Sequence, residues 1–145
     1  MTFQGQDHMP RSDFSFFHPF RVRYSEVDRQ GIAYQAHYLT WFDVAIWEFF
    51  RALPWDFQAQ LRDTNTDFHT VRNVIDYHAS VEFDQEIEVG VVVGRLGRSS
   101  LTLKVGIFAK GGDGELASGE VVWVNADQTS HKSAPVPDAL RDKLA

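Results

Sequence analysis

Apolar and basic side chains alternate from Phe20 to Tyr24, the period-2 spacing of a half-buried strand. After a short loop the period changes: Tyr38, Trp41, Phe42, Ala45, Ile46, Phe49 and Leu53 recur at i, i+3, i+4, which predicts a long amphipathic helix. Trp47 and Phe50 widen its apolar arc until only Thr40, Asp43, Glu48 and Arg51 interrupt it, so the helix should be covered on most sides, and Pro54 supplies a stop signal. Beyond a polar stretch at 61–67 the chain takes up strand patterning over 69–83, 86–99, 101–110 and 115–126, each rich in Val, Ile and aromatic residues. Gly111 to Gly114, GGDG, reads as a hairpin turn, so the four strands read as an antiparallel meander. The nearly continuous apolar run Val89–Val93 points to burial on both faces. A proline-punctuated segment and a short helix with Asp138 near its start close the chain.

The order strand, long helix, meander is an α+β pattern in which a curved antiparallel sheet wraps one central helix. The aperiodic residues 1–17 read as a flexible tail and 18–145 as a single domain. A sheet that encloses one helix leaves a face or an edge to cover, so a homodimer assembling into a homotetramer is expected.

Charge and composition narrow the chemistry. Lys and Arg number 14 against 20 Asp and Glu, a net charge of −6, which argues against an electrostatic grip on nucleic acid or an anionic membrane. A phosphorylated ligand would need a local basic patch. The chain has no cysteine, so a thiolate nucleophile, a disulfide framework and a Cys-ligated metal are excluded together. His69 and His78 are too far apart along a strand to chelate, and no metal site is expected. With no apolar leader segment and no long apolar run, a cytoplasmic location is expected.

The chemistry-bearing stretch is RYSEVDRQGIAYQAHY, Arg23 to Tyr38. It places Asp28 in a loop just ahead of the helix, with Gly31 free to adopt a φ other residues resist and Tyr34, His37 and Tyr38 close behind. Unpaired N–H groups at a helix N-terminus can hold an anion or a polarised carbonyl oxygen. A carboxylate beside them has the parts of an acyl-transfer site. An aspartate before a helix can equally be a cap or an Asx turn, and spacing alone leaves both readings open.

YSEVDRQGIAYQAHYLTWFDVA resembles the signature of hotdog-fold acyl-CoA thioesterases of the 4-hydroxybenzoyl-CoA thioesterase type, a Y-x-x-x-D-x-x-G-[IV]-x-[YW] loop leading into the central helix. IDYHASVEFDQEIEV, RLGRSSLTLKVGIF and VWVNADQTSHKSAPVPDAL resemble the family's later strands and tail, so that Phe20 to Leu140 is covered in order. The resemblance implies a hotdog fold and hydrolysis of an acyl-CoA to free acid and coenzyme A, with no cofactor, coenzyme A being part of the substrate. It puts the catalytic carboxylate, as nucleophile or general base, on Asp28 and the loop glycine on Gly31. It puts the oxyanion-binding backbone N–H on Gln35, where relatives often carry His or Tyr. Tyr34 and His37 flank that position, and Trp41 with its aromatic neighbours on the helix could line an acyl slot. The family's cationic cluster falls partly on Arg98, with the hydroxyls of Ser99 and Ser100 beside it. Glu48, the other candidate carboxylate, lacks the loop signature of the lineage that uses a helix glutamate. A hotdog module that binds acyl-CoA or acyl carriers without turnover is the alternative, and its mark would be a lost loop carboxylate.

Overall fold

The computed structural model describes residues 9–145. Its strands are β1 (Phe16–Arg21), β2 (Thr66–Tyr77), β3 (Glu86–Leu96), β4 (Ser100–Ala109) and β5 (Glu115–Asp127), and its helices are α1 (His37–Ala52), α2 (Phe57–Thr64) and α3 (Asp138–Leu144). The strands form one antiparallel sheet in the order β1-β3-β4-β5-β2. Only β3, β4 and β5 form a meander, because β2 crosses to the far edge and pairs with β5. Alternation along a chain marks strands without marking partners, which is why the expected four-strand meander differs from the sheet observed.

Helix α1 supplies the centre of the core. Its residues Trp41, Phe42, Ala45, Ile46 and Phe50 are buried against inward-facing residues of the sheet, among them Ile87, Val89, Val91, Leu103, Val105 and Ile107. Phe50 stacks on Trp123 of β5 with ring centroids 5.4 Å apart. Trp47, assigned to the covered arc from its spacing, is 43% exposed.

The N-terminal boundary also moves. Strand β1 begins at Phe16, inside the stretch expected to be a tail, and ends at Arg21; Tyr24 belongs to a 3₁₀ turn over Tyr24–Glu26. Ahead of β1, Phe14 lies buried over the paired glycines Gly90 and Gly106, where an added Cβ would come within 2.8 Å of the Phe14 ring at position 90 and 3.0 Å at position 106. Arg11 lies over the rings of Phe17 and Phe108 and pairs with Glu88. This short segment covers the outer face behind Val89–Val91, so the two-sided burial expected over Val89–Val93 is seen in its first half, while Val92 and Val93 are half-buried. Residues 1–8 of the expected tail lie outside the described residues.

Helix α2 was not expected from the polar stretch around it. It starts because Asp56 caps it, its Oδ1 accepting the Ala59 N–H at 3.0 Å. It is held because the buried Gln60 donates to Asn125 Oδ1 at 3.0 Å and accepts from Trp55 Nε1 at 2.9 Å. Among the described residues no helix is long and apolar enough to cross a membrane.

Candidate active site

The loop between β1 and α1 is a hairpin folded against the chain ahead of β3. Val27 bridges Ala33, the Asp28 N–H donates to Ile32 O at 2.9 Å, and Gly31 N–H closes a tight turn on Asp28 O at 3.0 Å with Gly31 at φ +76°. That positive φ is the conformation for which glycine was singled out. Asp28 Oδ1 accepts the Gln30 N–H at 2.7 Å, so the Asx turn is formed. The carboxylate is exposed, and Oδ2 has no partner among the described residues. The cap and the catalytic reading are therefore compatible: one oxygen orients the group while the other is open.

The far limb of the hairpin is tied down by Ala33 N–H to Val81 O at 2.7 Å and Tyr34 N–H to Glu26 O at 2.8 Å. Gln35 and Ala36 follow, and α1 begins at His37, so Gln35 lies just ahead of the first helical turn rather than within it. Among the described residues the backbone N–H groups of Gln35 and Ala36 have no acceptor. They stand at the positive end of the α1 dipole.

Glu26, which the reading of the motif passed over, anchors this loop. Its buried carboxylate accepts Trp41 Nε1 at 2.6 Å, the Arg23 backbone N–H at 2.8 Å and the Arg23 guanidinium at 2.9 Å. Burial alone would raise its pKa; the hydrogen bonds from Arg23 and Trp41 outweigh burial and hold it down to about 2. Trp41, a candidate lining residue of the acyl slot, is thus packed in the core with its one donor engaged. The available signal was the spacing of Arg23 and Glu26 within the motif.

A cavity of about 320 Å³ opens beside the hairpin, with Ile32, Gln35, Tyr38, Tyr77, Ala79 and Val81 among its walls. Of the candidate residues only Gln35 reaches it; Tyr34 and His37 pack on each other outside its lining, ring centroids 6.2 Å apart. Burial, with a smaller push from Tyr77, raises the Tyr38 phenol to about 12, and burial also raises Tyr77. Both keep their protons, and the Tyr77 hydroxyl donates to Gln35 O at 3.5 Å, tying the slot's wall to the residue ahead of α1. Tyr77 and Val81 come from β2 and its exit, a contribution that only the folded chain reveals.

Arg98, Ser99 and Ser100 lie at the β3–β4 turn. The Asp28 hairpin is anchored beside the opposite end of β3, where Val22 N–H donates to Gln85 O at 2.9 Å. Eleven residues of strand separate the two ends, about 30 Å at the usual rise. Glu48, mid-helix, pairs with Arg51 at 2.5 Å. Among the described residues no group of His, Asp and Glu is arranged to hold a metal ion.

The central helix α1 wrapped by a curved five-stranded antiparallel sheet is a hotdog fold, and the chain is a thioester hydrolase of that fold. The chain belongs to the thioesterase-like superfamily, whose family profile matches residues 22–144. It is 33% identical over 102 residues to the acyl-CoA thioesterase YbgC of Haemophilus influenzae, covering 63% of this chain and 75% of that protein. The crystal structure of the PA5185 protein of Pseudomonas aeruginosa superposes with a TM-score of 0.82 at 29% identity, covering 95% of this chain and 94% of that one. A 1,4-dihydroxy-2-naphthoyl-CoA thioesterase from Synechocystis shares the fold with a TM-score of 0.81 at 16% identity, covering 89% and 94%.

Proposed function

We propose that this protein hydrolyses an acyl-CoA to the free acid and coenzyme A, with Asp28 as the catalytic carboxylate. The observation that carries this reading is the hairpin itself: an exposed aspartate with one open oxygen, followed by N–H groups at Gln35 and Ala36 that have no acceptor among the described residues, Gln35 standing on the wall of an apolar cavity. The acyl group enters the cavity walled by Ile32, Val81 and the packed rings of Tyr38 and Tyr77. The thioester carbonyl points its oxygen at the Gln35 N–H, where charge accumulates as the tetrahedral intermediate forms. Asp28 either attacks the carbonyl carbon to give a mixed anhydride that water then cleaves, or takes a proton from the water that attacks directly. In both routes the C–S bond breaks and the thiolate of coenzyme A leaves. The reading needs no cofactor, and its setting is the cytoplasm.

The two ends of the substrate are served by different copies of the chain. About 30 Å of β3 separates the Asp28 hairpin from Arg98 within one protomer, and β2 stands at a sheet edge with Val71 exposed. A second copy laid against that edge satisfies the free backbone groups of β2 and brings its own β3–β4 turn toward the hairpin. Thiol release from short, branched and aromatic acyl-CoAs tests the reading. Asp28→Asn should lose about 10²-fold or more in kcat with little change in KM, and a variant that kept wild-type kcat would overturn the assignment. Light scattering on the active enzyme checks the assembly, since a fully active monomer contradicts the shared site.

A further inference from the structure

The β3–β4 turn is held from below by the C-terminal segment. Gly97 O accepts Arg141 Nη2 at 2.8 Å, and Arg98 O accepts the same nitrogen at 3.2 Å and the Val136 N–H at 2.8 Å. Ser99 O accepts the Asn125 N–H at 2.8 Å. Val136 and Leu140 are buried in the core, so the segment that carries Arg141 is itself anchored. Three successive carbonyls are therefore turned toward the protein. The peptide bonds here are trans, since the cis bond is at Leu53–Pro54, and in a trans unit the N–H points opposite to the C=O. The N–H groups of Arg98 and Ser99 must point away from Arg141, and among the described residues neither has an acceptor.

The side chains at this turn add to the same picture. Among the described residues eight of this acidic chain's 14 cations pair with carboxylates: Arg11 with Glu88, Arg21 and Lys110 with Glu86, Arg23 with Glu26, Arg51 with Glu48, Arg62 with Asp63, and Arg72 and Lys104 with Glu120. Arg98 has no such carboxylate partner among the described residues, and neither does Arg95 on the strand leading into the turn. Two successive outward N–H groups and a guanidinium on the same turn form a set of donors suited to a phosphate. From this geometry we propose that Arg141 is a positioning residue: it aims the peptides of Gly97–Arg98 and Arg98–Ser99 so that their N–H groups, with the Arg98 guanidinium, receive a phosphate at the nucleotide end of coenzyme A. The inference rests on the acyl-CoA reading above and extends it to a residue 43 positions away in the chain that touches no substrate.

The test compares one acyl group carried on coenzyme A and on pantetheine, which lacks the nucleotide phosphates, using the full chain and its Arg98→Ala, Arg141→Gln and Arg141→Lys variants. Arg98→Ala and Arg141→Gln should each reduce the kcat/KM preference for the CoA ester about tenfold, through KM, with Arg141→Lys recovering part of it. Calorimetric binding of adenosine 3′,5′-bisphosphate should weaken by a similar factor, a readout independent of turnover. If Arg98→Ala erodes the preference and Arg141→Gln leaves it intact, the positioning role is overturned while the acyl-CoA reading stands. Equal losses on both esters with Arg141→Gln would mark a purely structural residue and overturn it as well. Failure of both probes to distinguish any variant from wild type would remove the phosphate-binding turn altogether.

Discussion

Two buried glutamates sit in this molecule with opposite fates. Glu26, between the hairpin and α1, is surrounded by donors from Arg23 and Trp41 and is held down to about 2. Glu115, on the opposite face of the sheet beneath the segment ahead of β1, has among the described residues one backbone donor, the Met9 N–H, and no partner for its Oε2. Burial pushes Glu115 up to about 7, the single donor offsetting only part of that cost. Burial is common to both, so the donor set decides the charge state. The lesson is that the chain keeps a buried charge where it locks the Asp28 loop to the central helix, and on the other face keeps a carboxylic acid that gives up its charge readily.

The largest effect that would break this contrast is removal of the anchored carboxylate. Glu26→Ala leaves the Trp41 indole and the Arg23 N–H without acceptors, and urea unfolding should show a loss of about 3 kcal/mol with reduced kcat as the hairpin loosens. The next concerns Glu115, where the folded pKa lies above the ordinary value of 4.5. Its stabilising contribution is complete below pH 4.5 and is lost as pH rises to about 7, so Glu115→Gln should be more stable than wild type at pH 8 by about 1–2 kcal/mol, the advantage disappearing at pH 4. For Glu26 the sign reverses: its contribution is present above pH 4.5 and fades as pH falls toward 2. Unfolding curves over pH 3–8 that show the same slope for both variants would sink the comparison. The smallest effect is Trp41→Phe, which keeps a six-membered ring in the core, withdraws one donor from Glu26 and trims the indole; about 1–2 kcal/mol should be lost with β3 and β4 otherwise unchanged.

Much of the fold was readable from the chain alone because period is a local property. Tyr38 through Ile46 announced α1, Gly111 to Gly114 announced the β4–β5 turn, and the two-sided burial of the Val89 run was visible in its composition. Helix α2 was not readable, since its one strong signal, Asp56 as a cap, is common in loops, and what stabilises it is the distant Asn125. The site divides in the same way. Asp28, Gly31 and Gln35 stood together in a motif, whereas Glu26 was hidden in it as one charged residue among several and Tyr77 and Val81 lay about 40 residues downstream.

By itself the sequence determined the elements, the absence of thiol chemistry, and the neighbourhood of Asp28 with the helix that follows it, all consequences of residue type and spacing. Tertiary structure alone decided that β2 crosses to pair with β5, that Arg141 reaches back to the Arg98 turn, and that of two similar glutamates one keeps its charge and the other does not. Those outcomes depend on which donors, strands and rings arrive from elsewhere in the chain, and no local pattern encodes an arrival.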